Sequence, residues 1–380
     1  MKYCKICLEI DTRPNINFDY SGVCYACNSF DNIQKKYSDN NRIRIFKDLI
    51  EKYRSKGNYF DCILGVSGGK DSTRQALWLK EKFNLRPLLV CCSYPPEQIT
   101  SVGTENLSNL MKLGFDVLVS APAPQLWKKS VRESFFKGNY LTGPEIALYS
   151  SLPQIAIKYK LKLIFWGENP ATVWNDQKTN SKEGYNGNNL RHSNTLRGCK
   201  IDWMKKIISN KTQLIPYKYP SVKDFKSHQL QIIYLSWFWK NWTFLSNAKY
   251  SCLNGLELKK DNATKTGDLY GITAIDDTWV SVNQMIKYFK FGFGRVTDYL
   301  NFEIRNGSMS REEAIVYANK YDGKCDQKYI NDFCRYIGIS KFQFNKSIKK
   351  IINKKLFTIE SKGKNFKIKK KFIVGEGLKK

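Results

Sequence analysis

Between residues 60 and 170 short apolar runs alternate with amphipathic stretches, and the connections are brief. FDCILGV (60–66), RPLLVCCSY (86–94), FDVLVS (115–120) and KLIFWGEN (162–169) read as strands. DSTRQALWLKEKF (71–83) reads as a helix whose inner face carries Ala76, Leu77, Leu79 and Phe83. TENLSNLMKLG (104–114) and PEIALYSSLPQIAIKYK (144–160) read as further helices. Pro144 sits where a missing N–H costs little, whereas Pro153 is expected to kink or split its helix. Strand–helix alternation of this kind has few solutions. It predicts an α/β domain on a parallel sheet, covered by helices on both faces. Ligands of such sheets bind at the carboxyl ends of the strands. Two loops leave there with chemically loaded residues: GVSGGKDS (65–72) and WGEN (166–169).

The first loop is built to hold an anion. Gly68 and Gly69 let the backbone turn tightly, so that its N–H groups converge on phosphate oxygens. The helix that follows adds its positive end. Ser67 and Ser72 supply hydroxyls and Lys70 a mobile charge. Asp71 would be repelled by bare phosphate, so its presence calls for Mg²⁺ between them. The common nucleoside-triphosphate loop is a different pattern: Leu64 stands where it needs glycine, and Asp71 follows the lysine in place of Ser or Thr.

Cys4, Cys7, Cys24 and Cys27 are spaced C-x2-C-x16-C-x2-C, the spacing of a four-thiolate Zn²⁺ site. Four thiolates close the coordination shell, so this site is structural, and the metal supplies folding energy that thirty residues lack. Cys62, Cys91 and Cys92 fall in strands and read as packing residues. Cys199 lies in a polar stretch with nothing nearby to activate it.

SGGKDS after a strand resembles the pyrophosphate loop of the PP-loop ATPases, the adenine-nucleotide alpha-hydrolase group. That resemblance implies a Rossmann-like domain that binds ATP with Ser67, Gly68, Gly69, Lys70, Asp71 and Ser72, cleaves it between the α and β phosphates, and adenylates an acceptor. Three features narrow the resemblance to the N-acetyl sugar amidotransferases of O-antigen and of pseudaminic and legionaminic acid biosynthesis: the four-cysteine module, WGEN, and KYFKFGFGRVTDYLNFEIRNGSMSREEAI (287–315). Such enzymes convert an acetamido group of an acidic or nucleotide-linked sugar to an acetamidino group. The resemblance implies ATP, Mg²⁺ and Zn²⁺ as cofactors. Lys70, Asp71 and Glu168 are then the expected catalytic residues, with Gly167 and Asn169 positioning the nucleotide. Lys290, Arg295 and Arg305 are candidates to hold a carboxylate or phosphates. A built-in glutaminase needs an activated cysteine with a histidine partner. The two histidines, His192 and His228, lie in unrelated contexts. Ammonia is therefore expected from a separate glutaminase subunit.

Charge frames the alternatives. Lys and Arg number 63 against 34 Asp and Glu, a formal charge of +29. Residues 341–380 hold fourteen lysines and two glutamates. Such an excess invites an anionic partner, and the competing reading is a tRNA-modifying PP-loop enzyme of the thiolating type. That chemistry needs a relay cysteine in the cleft, and the sequence offers no paired candidate, so nucleic acid is not the expected partner. The longest apolar stretch, LQIIYLSWFW (230–239), is about half the length of a membrane span, and MKYCKIC carries no apolar signal region. Both point to a cytoplasmic protein without membrane insertion. The aromatic cluster Tyr234, Trp237, Phe238, Trp239 and Trp242 reads as core or interface.

The chain divides into a zinc module (1–30), a linking helix (31–58), and the ATPase domain (59–250) with a long loop or mobile lid at 175–200. A helical substrate or partner region (251–340) and a basic tail (341–380) complete it. Within 281–322 the helical pattern should break at Gly292–Gly294, and Ser310 with Glu313 should form a capping box. FKIKKKFIV alternates as a charged edge strand does.

Overall fold

The computed structural model describes residues 1–208, 210–239, 242–362 and 365–379. Its centre is one parallel sheet of five strands: β1 (Cys62–Gly65), β2 (Pro87–Cys92), β3 (Val117–Ser120), β4 (Leu163–Trp166) and β5 (Gln231–Tyr234), in the order β3-β2-β1-β4-β5. Both faces of every central strand are buried, as the continuous apolar runs require. Leu64, Leu89, Phe165 and Ile233 point into one core. Their neighbours Ile63, Leu88, Ile164 and Ile232 point into another. The fifth strand lies within the apolar stretch that ends in the aromatic cluster, where periodicity alone does not separate strand from buried helix.

Two helices precede the sheet, α1 (Tyr25–Lys36) and α2 (Asp39–Tyr53). The expected boundary at residue 30 therefore falls inside α1, whose first turn carries Cys27. Nor does α2 merely link. Its Phe46 is fully buried and meets Trp78, Phe83, Phe165 and Phe238 at ring-centroid distances of 4.7–5.5 Å. α3 (Lys70–Phe83), α4 (Ser101–Lys112), α5 (Pro124–Phe136) and α6 (Thr142–Lys158) follow. α5 was not foreseen. α6 is not split at Pro153: it runs through, because the face carrying Leu152, Pro153, Ile155 and Ala156 is buried against the sheet and that burial offsets one lost hydrogen bond.

Between β4 and β5 come the short α7 (Pro170–Val173), a run of single 3-10 turns and α8 (Val222–Ser227). The stretch expected as a lid is partly pinned. Gly187 N donates to Ile232 O at 2.8 Å and Tyr234 N donates to Tyr185 O at 2.9 Å, so it shields the edge of β5 from solvent pairing. Tyr234, Trp237, Phe238 and Trp242 are buried, which makes that cluster core.

α9 (Phe244–Leu253) packs on α3, and the small α10 (Ala263–Thr266) precedes a second, helical body of α11 (Val280–Phe291), α12 (Arg295–Arg305), α13 (Arg311–Tyr321), α14 (Gln327–Ile337) and α15 (Lys341–Ile351). Gly292 ends α11 in the left-handed conformation at φ 84°, and the Ser310–Glu313 capping box starts α13. The basic tail is folded. Beyond α15 it forms two antiparallel pairs, β6 (Phe357–Lys362) with β7 (Asn365–Lys370) and β8 (Phe372–Ile373) with β9 (Gly377–Leu378). Phe344, Phe357 and Phe372 are buried in the core that α11–α15 share with α5 and α6. No helix among the described residues is long and apolar enough to cross a membrane.

If α2 belongs to the sheet domain, Phe46→Ala should cost about 3–5 kcal/mol. A urea titration followed by tryptophan fluorescence should show one transition, with its midpoint lowered. An unchanged midpoint would mean that α2 packs only loosely.

Candidate active site

The sheet winds outward from β1 in one direction and from β4 in the other, so these neighbouring strands leave a crevice at their carboxyl ends. The two loops singled out in the sequence flank it. Ser67, Gly69, Lys70, Asp71 and Ser72 from the first, with Gly167 and Glu168 from the second, line one cavity of about 200 Å³.

Gly68 is sterically required, whereas Gly167 is closely approached by a side-chain end. Gly68 has φ 73°, and a Cβ there would stand 2.8 Å from Leu107 N. A Cβ on Gly167 would stand 2.3 Å from Gln75 Nε2. Gly69 caps α3, so the N–H groups of Lys70, Asp71 and Ser72 have no partner within the helix and face the crevice end. Lys70 is buried and pairs with Asp71 at 2.7 Å. Burial opposes its charge, but Asp71 and the nearby Tyr299 and Glu168 hold it above its ordinary value. α9 fixes this pair: Asn247 Nδ2 donates to Asp71 Oδ1 at 2.7 Å, and Ser251 Oγ to Lys70 O at 2.6 Å. Asn169 does not line the cavity. Its Oδ1 accepts from Ala171 N at 2.9 Å, capping α7, and its Nδ2 donates to Gly184 O at 2.6 Å.

Glu168 has a second role. It also lines a larger cavity of about 450 Å³, together with Glu145, Lys287, Lys290 and Arg295. Two of the three cations proposed from sequence are thus placed together. The third, Arg305, is elsewhere. It is buried, donates to Thr172 O at 2.9 Å, and carries its charge beside Cys7, Cys27 and Cys24.

The larger cavity is electropositive. Arg13, Arg197, Lys287, Lys290 and Arg295 line it, against Glu145, Glu168, Asp176 and Asp298. Two of those acids hold their protons unusually well: burial pushes Glu145 up to about 8, and burial with the Asp71 charge pushes Glu168 up to about 7. Asp298 stays ionised. Burial works against it, but Lys287, Arg13 and Arg295 hold it down to about 2. Burial also pulls Lys287 down to about 8 and Lys290 below its ordinary value, so near neutral pH the positive charge rests mainly on the arginines, and an anionic occupant is favoured.

Sequence reading missed several of these groups. Gln75, one turn beyond Ser72 on α3, is buried and lines the smaller cavity. Ile272, Ala274 and Ile275 also line the smaller cavity. Their segment is tied down by Thr100, whose N donates to Asp276 O at 3.1 Å and whose Oγ1 donates to Ile275 O at 2.6 Å. No local motif marks it. Arg13 comes from the cysteine module. It pairs with Glu9 and Asp298 and stacks 4.1 Å over the Phe293 ring.

The four cysteines converge. Their sulfur atoms lie within 4.8 Å of one another, all four residues buried. Cys4 and Cys27 sulfurs are 4.0 Å apart, and those of Cys7 and Cys24 3.8 Å. Thiolates ~2.3 Å from a shared ion in tetrahedral geometry stand ~3.8 Å apart. The set therefore fits one structural metal ion, and the chemistry of four thiolates suits zinc. Ile6 N and Cys24 N both donate to the Cys4 sulfur, at 3.4 and 3.3 Å.

Residues 264–371 match the family described as LPS biosynthesis protein WbpG-like, C-terminal domain. The chain is thereby similar, over this region, to proteins of surface-polysaccharide biosynthesis. The matched stretch supplies Ile272–Ile275 to one cavity and Lys287, Lys290, Arg295 and Asp298 to the other. An uncharacterized protein of Methanocaldococcus jannaschii is 30% identical over 112 residues, which are 29% of this chain and 38% of that relative. The chain thus spans well under half the length of the curated relative it matches.

Purified chain should carry one colourless metal ion. Cys24→Ser should lose it and melt at lower temperature, by plasma emission analysis and a thermal scan. An iron signal with visible absorbance would reassign the centre.

Proposed function

We propose that the chain is an ATP-dependent, AMP-forming amidotransferase. It converts an acetamido group on an acidic or nucleotide-linked sugar to an acetamidino group in surface-glycan biosynthesis. One observation carries this reading. A glycine turn opening a helix lines one cavity, an electropositive cavity adjoins it, and Glu168 belongs to the wall of both. In this reading Mg²⁺ and the pyrophosphate of ATP sit on residues 67–72, and the sugar occupies the larger cavity. Lys70 and Asp71, locked by α9, neutralise and orient the departing pyrophosphate.

An amide oxygen is a poor leaving group. Its attack on the α-phosphate makes an imidoyl adenylate and releases pyrophosphate. Ammonia then adds at the carbon and AMP leaves. Ammonia comes from a separate glutaminase subunit, and zinc fills the four-cysteine site. The similarity of residues 264–371 to an LPS biosynthesis domain supports the glycan context. The net positive lining of the larger cavity supports an anionic acceptor.

The thiolating alternative draws on the charge of +29. It needs a reactive thiol near the nucleotide. Cys92 lines that cavity, but burial pushes its thiol up to about 12, which leaves it protonated and unreactive.

Incubated with ATP, Mg²⁺, ammonium and a panel of N-acetyl sugars, the chain should release AMP and pyrophosphate. The product should show the mass change of O replaced by NH, by mass spectrometry. Lys70→Ala should cut the rate by about 10²-fold or more. ADP with orthophosphate as products, or turnover that requires tRNA, would sink the reading.

A further inference from the structure

Glu145 has no role in the reading above, yet it is placed like a working group. It lies in the first turn of α6 and lines the larger cavity beside Arg295 and Glu168. Its Oε2 is shielded from solvent and has no hydrogen-bond partner among the described residues. The same holds for Nε of Arg295. A carboxyl and a guanidinium line one cavity, both with unused valences, and they form no ion pair with each other. Both residues belong to the wall of that cavity, so a small polar group bound there lies beside them. An amide or amidine suits that position, because it offers an acceptor to the guanidinium and N–H donors to the carboxyl. Glu168 lies in the wall shared with the smaller cavity.

We propose that Glu145 is a catalytic residue of the second half-reaction, holding the incoming ammonia and taking its proton. This rests on the amidotransferase reading. The nitrogen lone pair of ammonia forms the C–N bond to the imidoyl carbon. One N–H proton passes to a Glu145 carboxylate oxygen. The C–O bond then breaks, and its electron pair leaves on the phosphate oxygen of AMP. The proton returns from Glu145 to solvent, so the residue is regenerated. Glu168 faces the nucleotide as well and serves the first half-reaction; Glu145 lines the acceptor cavity alone.

The pH dependence has a definite sign. Burial raises Glu145 to about 8, so its basic form grows as pH rises through that value. The charged and titratable groups facing it are Arg295 from α12, Glu168 after β4, Tyr94 after β2, Tyr140 before α6 and Tyr149 on α6 itself. Arg295 alone of these lowers it.

Two assays on the full chain separate the half-reactions. Exchange of pyrophosphate into ATP, dependent on acceptor and without ammonia, reads adenylation. Amidine formation, expressed per free ammonia, reads the second step. For Glu145→Gln, amidine formation should fall about 10²-fold while exchange falls far less, and the rise in rate through pH 8 should vanish. Glu145→Asp keeps the carboxyl and should keep the rise at a lower rate. Amidine formation by Glu145→Gln within about threefold of wild type, or a persisting rise, overturns the assignment. So does a flat profile in Glu145→Asp. Wild-type chain with no acceptor-dependent exchange on any sugar overturns the amidotransferase reading itself, and this inference with it.

Discussion

The reversal of winding between β1 and β4 is the constraint from which the rest follows. Adjacent parallel strands whose crossovers lie on opposite sides must part at their carboxyl ends, and the backbone there has nothing to pair with. Short, tightly turning loops fit there, and Gly68 accordingly adopts a left-handed conformation with backbone of Leu107 and Gly103 where a Cβ would stand. Close approach of backbone to whatever fills the gap is the direct result. The helix that begins at Lys70 contributes unpaired N–H groups at the same point. The gathering of free N–H groups at this crevice is therefore a property of topology before it is a property of any side chain.

The second cavity is made differently. Its walls come from segments far apart in sequence: Arg13 from the cysteine module, Glu145 from α6, Glu168 after β4, and Arg295 and Asp298 from α12. Asp298 is the meeting point. It accepts from Arg13 and Lys287, and Arg13 in turn is held by Glu9. Such a buried network is costly unless every member is satisfied. Here the surplus of cations over ionised acids remains, and it faces open space where a ligand can offset it.

Much of the sheet was legible because strand and helix periods are local. Four strands and three flanking helices were expected near where they lie, with boundaries off by at most three residues. The loop residues Ser67, Gly69, Lys70, Asp71 and Ser72 and the cysteines were legible as well, since their spacing is itself the signal. What escaped reading depends on long-range placement. Arg305 and Arg295 stand ten residues apart on one helix, and sequence cannot say that the first turns toward the cysteine cluster while the second turns toward the cavity. Asn169 sits beside Glu168 yet serves as a helix cap. Ile272–Ile275 cover the crevice only because Thr100 holds their backbone. The edge of β5 was hidden for another reason: its apolar run merges into the aromatic core without a period that distinguishes them.

Arg13 carries one implication further. It stands fourteen residues from Cys27, in the segment that carries the four cysteines, and it forms part of the wall of the larger cavity. A newly made chain that has closed its sheet but has no metal on its cysteines would have the smaller cavity complete and the larger one lacking part of its wall. With a metal organising those four cysteines, completion of the larger cavity's wall would depend on the supply of a trace element and not on the main core alone.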